Sequence, residues 1–222
     1  MRYFLFLFII VLVIFFVEIN PSFFIKENYE CGKIKVYYSD KDFDTKKLCD
    51  IVEGLCFKTN FCNFEFKIFI TPSKNWFKFF SFFKKDFIWV NPFRKYSVIY
   101  PIEISKNKFL NADINLNEKI SEVIIREFLL NRKTILEYLT IPKWKIIGYS
   151  KYISNEIQKF DRYDICNSSN QNQNMEYKDF EYMMVVKYIF ERKRHLDLME
   201  FFDDNLSYDY YFSQMKSFVC AN

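Results

Sequence analysis

Residues 118–157, EKISEVIIREFLLNRKTILEYLTIPKWKIIGYSKYISNEI, decide how the rest of the chain is read. They hold two helical patterns joined by a short connection. The first places Ile120, Val123, Ile124, Phe128 and Leu130 at roughly helical spacing. The second follows Pro142, a residue suited to a first turn, and carries Trp144, Ile147, Tyr149, Tyr152 and Ile153.

Outward from this stretch, the second pattern contains Pro142, Trp144, Gly148, Tyr152 and Ile153 in order, and the first contains Arg126-Glu127-Phe128-Leu129-Leu130. On these residues the pair resembles the two metal-site helices of the gluzincin metallopeptidases, which have a zincin-like fold. In that family the first helix carries H-E-x-x-H and the second a motif close to P-x-W-x-x-E-G-x-x-x-Y-I. The second motif is nearly intact here, whereas the first has lost its histidines. The resemblance sets Arg126 and Leu130 at the two histidine positions and Ile147 at the glutamate ligand. Only Glu127, the family's general base, remains.

Two histidines at i and i+4 lie on one helix face and hold zinc, and the glutamate between them activates a bound water. Arginine stays protonated, and leucine and isoleucine have no lone pair to offer. His195 is the one histidine in the chain, so no paired-histidine motif exists in it. No metal, no cofactor and no peptidase activity are therefore expected. The interval from Leu130 to Ile147 is also short for the family, which implies a trimmed connection. Arg126 has a local reading beside this one. Glu122, four residues earlier, allows an i, i+4 ion pair, and a guanidinium lodged in the old cleft would pair with Glu122 or Glu127. A solvated arginine is the alternative.

The remainder of the chain bounds the class. Its 222 residues are 50% hydrophobic and 22% aromatic, with only 3 Gly and 5 Pro, which excludes a disordered or collagenous chain. A net charge of +4 from 32 basic and 28 acidic residues is too balanced to argue for nucleic acid. Arg2 precedes an unbroken apolar run from Tyr3 to Val17, a pattern for export. Fifteen helical residues cover about 22 Å, short of a roughly 30 Å hydrocarbon core. No small-x-small cleavage site follows. An uncleaved anchor, a cleaved signal and a buried N-terminal helix all stay open. The first two place the rest of the chain outside the cytoplasm, periplasmic, extracellular or secreted. Residues 1–25 are expected to form this segment and residues 26–222 a single zincin-like domain.

Six cysteines suit an oxidising compartment. Cys49 and Cys56 share one face of an expected helix, and Cys62 opens the next strand within reach of either. Small buried hydrophobes and one disulfide, Cys56 with Cys62, both remain open.

In chain order, an alternating stretch from Gly32 to Ser39 reads as a strand, and Asp44 as the N-cap of a helix from Thr45 to Lys58. A strand from Phe64 to Thr71 completes a β-α-β start. Next comes an aromatic helix from Lys74 to Phe83, with Trp76, Phe77, Phe79, Phe80, Phe82 and Phe83 among lysines. It is read as a core element, with membrane-surface contact as the second reading. Strands are expected from Phe87 to Asn91 and from Tyr96 to Ser105. Pro101 demotes the latter to an edge or bulged strand, and by position it resembles the gluzincin strand that lines the substrate cleft. Residues 107–117 read as a loop, and residues 160–174 as a polar surface insertion with no core to offer. A helix from Glu176 to Lys193 and two short helices after it complete the chain. His195 follows Arg192, Lys193 and Arg194 and reads as solvated.

The expected architecture is thus α+β: a small mixed sheet of about four strands, the former metal-site helix pair, and C-terminal helices, preceded by a hydrophobic N-terminal helix. The expected role is non-catalytic, binding or structural. The membrane is a partner through the segment from Tyr3 to Val17, and the vestigial cleft would take a protein or peptide partner. Two alternatives are carried: a metallopeptidase-related enzyme with non-histidine ligands, and a membrane-surface module acting through residues 76–83.

Overall fold

Alternation of Ile34 and Val36 with Lys35 gives a strand with one buried face. The computed structural model describes residues 3, 5–8, 11, 21–39, 44–59, 63–81, 88–91, 96–100, 109–154, 160–167, 175–193 and 195–221. It is an α+β protein with a five-stranded mixed sheet. The chain divides into two compact units, residues 1–112 and 113–222.

In the first unit, a 3-10 turn at Pro21–Phe23 leads into strand β1 (Glu27–Cys31) and β2 (Ile34–Tyr38). A helix, α1 (Thr45–Thr59), connects β2 to β3 (Phe66–Ile70). Helix α2 (Lys74–Phe80) precedes β4 (Ile88–Asn91) and β5 (Tyr96–Ile99). The spatial order is β1-β2-β3-β5-β4. The three central strands are parallel and both edge strands antiparallel to their neighbours. The expected β-α-β start is therefore present as β2-α1-β3. Asp44 caps α1, its carboxylate accepting from the Lys47 amide at 3.0 Å.

Two expectations are corrected here, and a third is refined. The sheet has five strands because β1, ENYEC, pairs with β2 although its first four residues are exposed. No apolar alternation marks such an edge. Gly32, at φ 60°, opens the two-residue turn that joins the pair, and Lys35 meets its register partner Glu30 at 2.8 Å. The strand at Tyr96 is not an edge: β5 lies between β3 and β4, fully buried, and β4 is the edge. Pro101 lies outside the described residues. The Thr71 amide and hydroxyl both donate to the Ile99 carbonyl, closing the β3–β5 pairing. Finally, the aromatic helix is split by its own periodicity. Phe77 and Phe80 are buried with Ile25, Phe69, Tyr96 and Val98, while Trp76 and Phe79 are each 39% exposed. Phe82 and Phe83 lie outside the described residues.

The second unit is helical, holding all but the first four residues of α3 (Phe109–Arg132), then α4 (Ile135–Thr140), α5 (Lys143–Ser154), α6 (Arg162–Cys166), α7 (Met175–Arg192), α8 (Leu198–Asp203) and α9 (Tyr208–Cys220). α3 starts at Phe109, so most of the stretch from Asn107 to Asn117 is helix and not loop. Its polar sequence lacks an apolar stripe, and the backbone continues the buried helix that follows. α5 is buried on nearly every side, from Trp144 to Tyr149 without a break, which makes it the core of its unit. Gly148 permits this. A Cβ there would sit 2.5 Å from the Tyr182 carbonyl oxygen on α7, so only glycine allows the two helices to cross so closely.

The stretch from Phe160 to Asn174 also does more than form surface. Asp161 and Asp164 build a capping box for α6, Ile165 is fully buried, and Cys166 is bonded to Cys220 on α9. Cys31 is likewise bonded to Cys49, tying β1 to α1. These pairs correct the reading of the cysteines as small hydrophobes, and they remove Cys49 as a partner for Cys62. Cys56 is itself disulfide-bonded; Cys62 lies outside the described residues.

Of the N-terminal apolar run, residues 3, 5–8 and 11 are described as helical, and Tyr3, Leu5, Phe6, Leu7, Phe8 and Val11 are all exposed. No helix among the described residues is long and apolar enough to cross a membrane.

Candidate functional site

The helix pair that organises the sequence is present as α3 and α5. Asn117 Nδ2 donates to the Ser154 carbonyl at 2.8 Å, and Lys151 meets Glu118 at 3.0 Å. These contacts join the middle of α3 to the end of α5. The end of α3 leads through α4 to the start of α5, so the two helices run antiparallel. The connection is short but structured: Thr134 and Glu137 form a capping box on α4.

Arg126 does not point free into solvent. Its Nε and Nη2 donate to Glu122 Oε1 at 2.8 and 2.7 Å, and its Nη1 donates to the Tyr138 hydroxyl at 2.9 Å. Glu122 comes from the previous turn and Tyr138 from α4, so the connection between the helices positions the guanidinium. Burial works against its charge, yet Glu122 and Tyr138 outweigh that, and its pKa is held above the ordinary arginine value. Arg126 is therefore a fixed cation.

Glu127 is buried at 2% exposure. Leu130, one turn beyond Arg126, is half-buried, and Ile147 on α5 is buried. Of these four, Glu127 alone offers an oxygen donor. A cation and two hydrocarbons at the other positions do not fit zinc, which needs three or four lone-pair donors. No group of three or more His, Cys, Asp or Glu among the described residues is arranged to hold a metal ion.

The motif residues on α5 serve packing. Pro142 precedes the helix, and its carbonyl accepts from the Lys145 amide at 3.0 Å. Trp144 meets Phe201 edge-on at 5.9 Å and Tyr208 at 5.7 Å. Tyr152 stacks on Phe190 at 5.9 Å.

Two polar groups near this pair were not singled out from the sequence. Lys145, 1% exposed, sends its ammonium to the carbonyls of Phe201 and Asp204, each at 2.6 Å. It thereby satisfies the C-terminal carbonyls of α8 with a cation, as the helix dipole favours. Burial draws its pKa down to about 8, with Asp204 opposing and Lys133 assisting. A lysine directly between Trp144 and Ile146, within a stretch otherwise apolar to Tyr149, was the available signal. The second group surrounds Glu118. Lys119 and Lys151 both approach it, and Asp179 on α7 is pushed up to about 6 by burial, with Lys151 opposing and Glu118 reinforcing.

No family model, curated protein or solved structure matches this chain.

Proposed function

We propose that this chain is an exported, membrane-anchored, non-catalytic protein whose residues 26–222 form a degenerate zincin-like domain. Its role is binding or structural. The observation that carries this is the state of Arg126. At the position where the resemblance calls for the first histidine ligand, a guanidinium is locked by Glu122 and Tyr138. A fixed positive charge in that place repels a metal cation and supplies charge of the same sign from the protein itself. Leu130 and Ile147 support the reading, because neither can ligate. The trimmed connection supports it as well: its Tyr138 serves the arginine and no metal must be spanned.

Restoring the pattern tests the frame. Arg126→His, Leu130→His and Ile147→Glu together would set two imidazoles at i and i+4 against a carboxylate. The triple variant is expected to bind one zinc ion per chain, measured by elemental analysis after dialysis, where the parent binds none. A folded triple variant without zinc affinity would remove the zincin reading. Stoichiometric zinc in the parent would remove the pseudo-enzyme reading.

A further inference from the structure

The first unit exposes an aromatic cluster beside the point where the N-terminal segment enters the fold. Phe24 is 47% exposed, and Trp76 and Phe79 are 39% exposed each. Phe24 lies 5.5 Å from Trp76, and Trp76 lies 6.0 Å from Phe79, centroid to centroid. The three rings thus form one contiguous surface. Helix α2 holds it rigidly: Ser73 caps the helix, and Phe77 and Phe80 anchor its other face in the core. Trp76 also stacks on Phe80 at 5.6 Å. Lys74 and Lys78 belong to the same helix.

The chain path links this surface to the apolar run. Ile25 is buried in the same core cluster, and the amides of Phe24 and Ile25 both donate to the Pro21 carbonyl. The entry point is therefore fixed against α2. The four steps from Val17 to Pro21 span at most about 14 Å. Any surface that takes up the apolar run as far as Val17 must come within that reach of Pro21, three residues before Phe24.

We propose that Phe24, Trp76 and Phe79 form a membrane-interface contact that seats the first unit on a bilayer. This rests on the membrane-anchored reading above. Tryptophan and phenylalanine rings suit the headgroup level, where one side is apolar and the other wet. The contact would orient the chain at the membrane rather than leave it on a free tether.

The full chain, reconstituted into vesicles of phosphatidylcholine and phosphatidylserine, provides the test. Some vesicles carry lipid brominated near the headgroup end of the acyl chains, a shallow quencher of tryptophan. Wild-type fluorescence is expected to fall in brominated vesicles, and Trp76→Phe, which keeps a ring against Phe80, is expected to lose most of that quenching. The chain has three tryptophans, so a signal that survives in Trp76→Phe comes from the others. Phe24→Ser with Phe79→Ser should weaken quenching at least twofold while the chain still floats with the vesicles. Flotation without Trp76-dependent quenching overturns the docking surface and leaves the anchor standing. A chain that fails to float overturns both.

Discussion

Replacing Gly148 with alanine puts the α5–α7 crossing under direct test. The added Cβ would meet the Tyr182 carbonyl oxygen at 2.5 Å, its carbon at 2.8 Å and Val186 Cγ2 at 2.8 Å. Val186 can shift its side chain, but the Tyr182 obstacle is backbone in the middle of α7. Restoring an ordinary 3.4 Å contact requires the helices to part by about 0.9 Å. Interiors are close-packed, so that displacement opens gaps along the rest of the crossing. Overpacking costs about 1–3 kcal/mol, and a backbone obstacle belongs at the upper end. Alanine's better helix propensity returns about 1 kcal/mol. The net expectation is a loss of about 2 kcal/mol, or a fall in Tm of roughly 4–8 °C. Gly54 in α1 supplies the matched control, because nothing lies within 4 Å of a Cβ built there. Gly54→Ala should stabilise by about 0.5–1 kcal/mol through propensity and reduced unfolded-state freedom. Thermal and urea unfolding followed by circular dichroism would read both. A Gly148→Ala variant melting at or above wild type would refute the crossing, whatever Gly54→Ala does.

Lys145 predicts a pH dependence. Its folded pKa of about 8 lies below the ordinary lysine value of 10.5, so the unfolded chain binds the extra proton between these values and stability rises with pH there. The rise from pH 8 to 9.5 should reach about 2 kcal/mol at most and vanish in Lys145→Met. Above pH 10 the Tyr149 hydroxyl, pushed up to about 12 by burial, acts in the opposite direction. Lys145→Met should itself destabilise by about 1–3 kcal/mol at pH 7, because the carbonyls of Phe201 and Asp204 lose their donor. In the aromatic helix, Phe77→Ala should cost about 3–5 kcal/mol, while Trp76→Ala should cost clearly less, as calorimetry would show. Reduction of Cys166–Cys220, which closes 54 residues, should remove roughly 4 kcal/mol, and of Cys31–Cys49, which closes 18, roughly 3 kcal/mol; unfolding of the matching serine variants measures each.

Local periodicity and composition determined much by themselves. The apolar stripe of α3, the Pro142 start of α5, the Asp44 cap and the alternation of β2 all rest on interactions within a few residues, so their spacing is visible in one dimension. The zinc argument is of the same kind, since it depends on which side chains carry lone pairs and not on where they lie. Strand β1 was invisible because its exposed residues are held by pairing with β2, not by burial of their own. The position of β5 inside the sheet depends on which strands flank it, and a proline beyond its end says nothing about that. Cysteine partners 18 and 54 residues apart meet only once the chain has folded. Tertiary structure alone assigned Arg126 to Glu122 and Tyr138 together, because Tyr138 arrives from α4. It also turned Lys145 from a lysine among apolar neighbours into the cap of α8. Distances across sequence are set by packing, and packing is a property of the whole unit rather than of any window in its sequence.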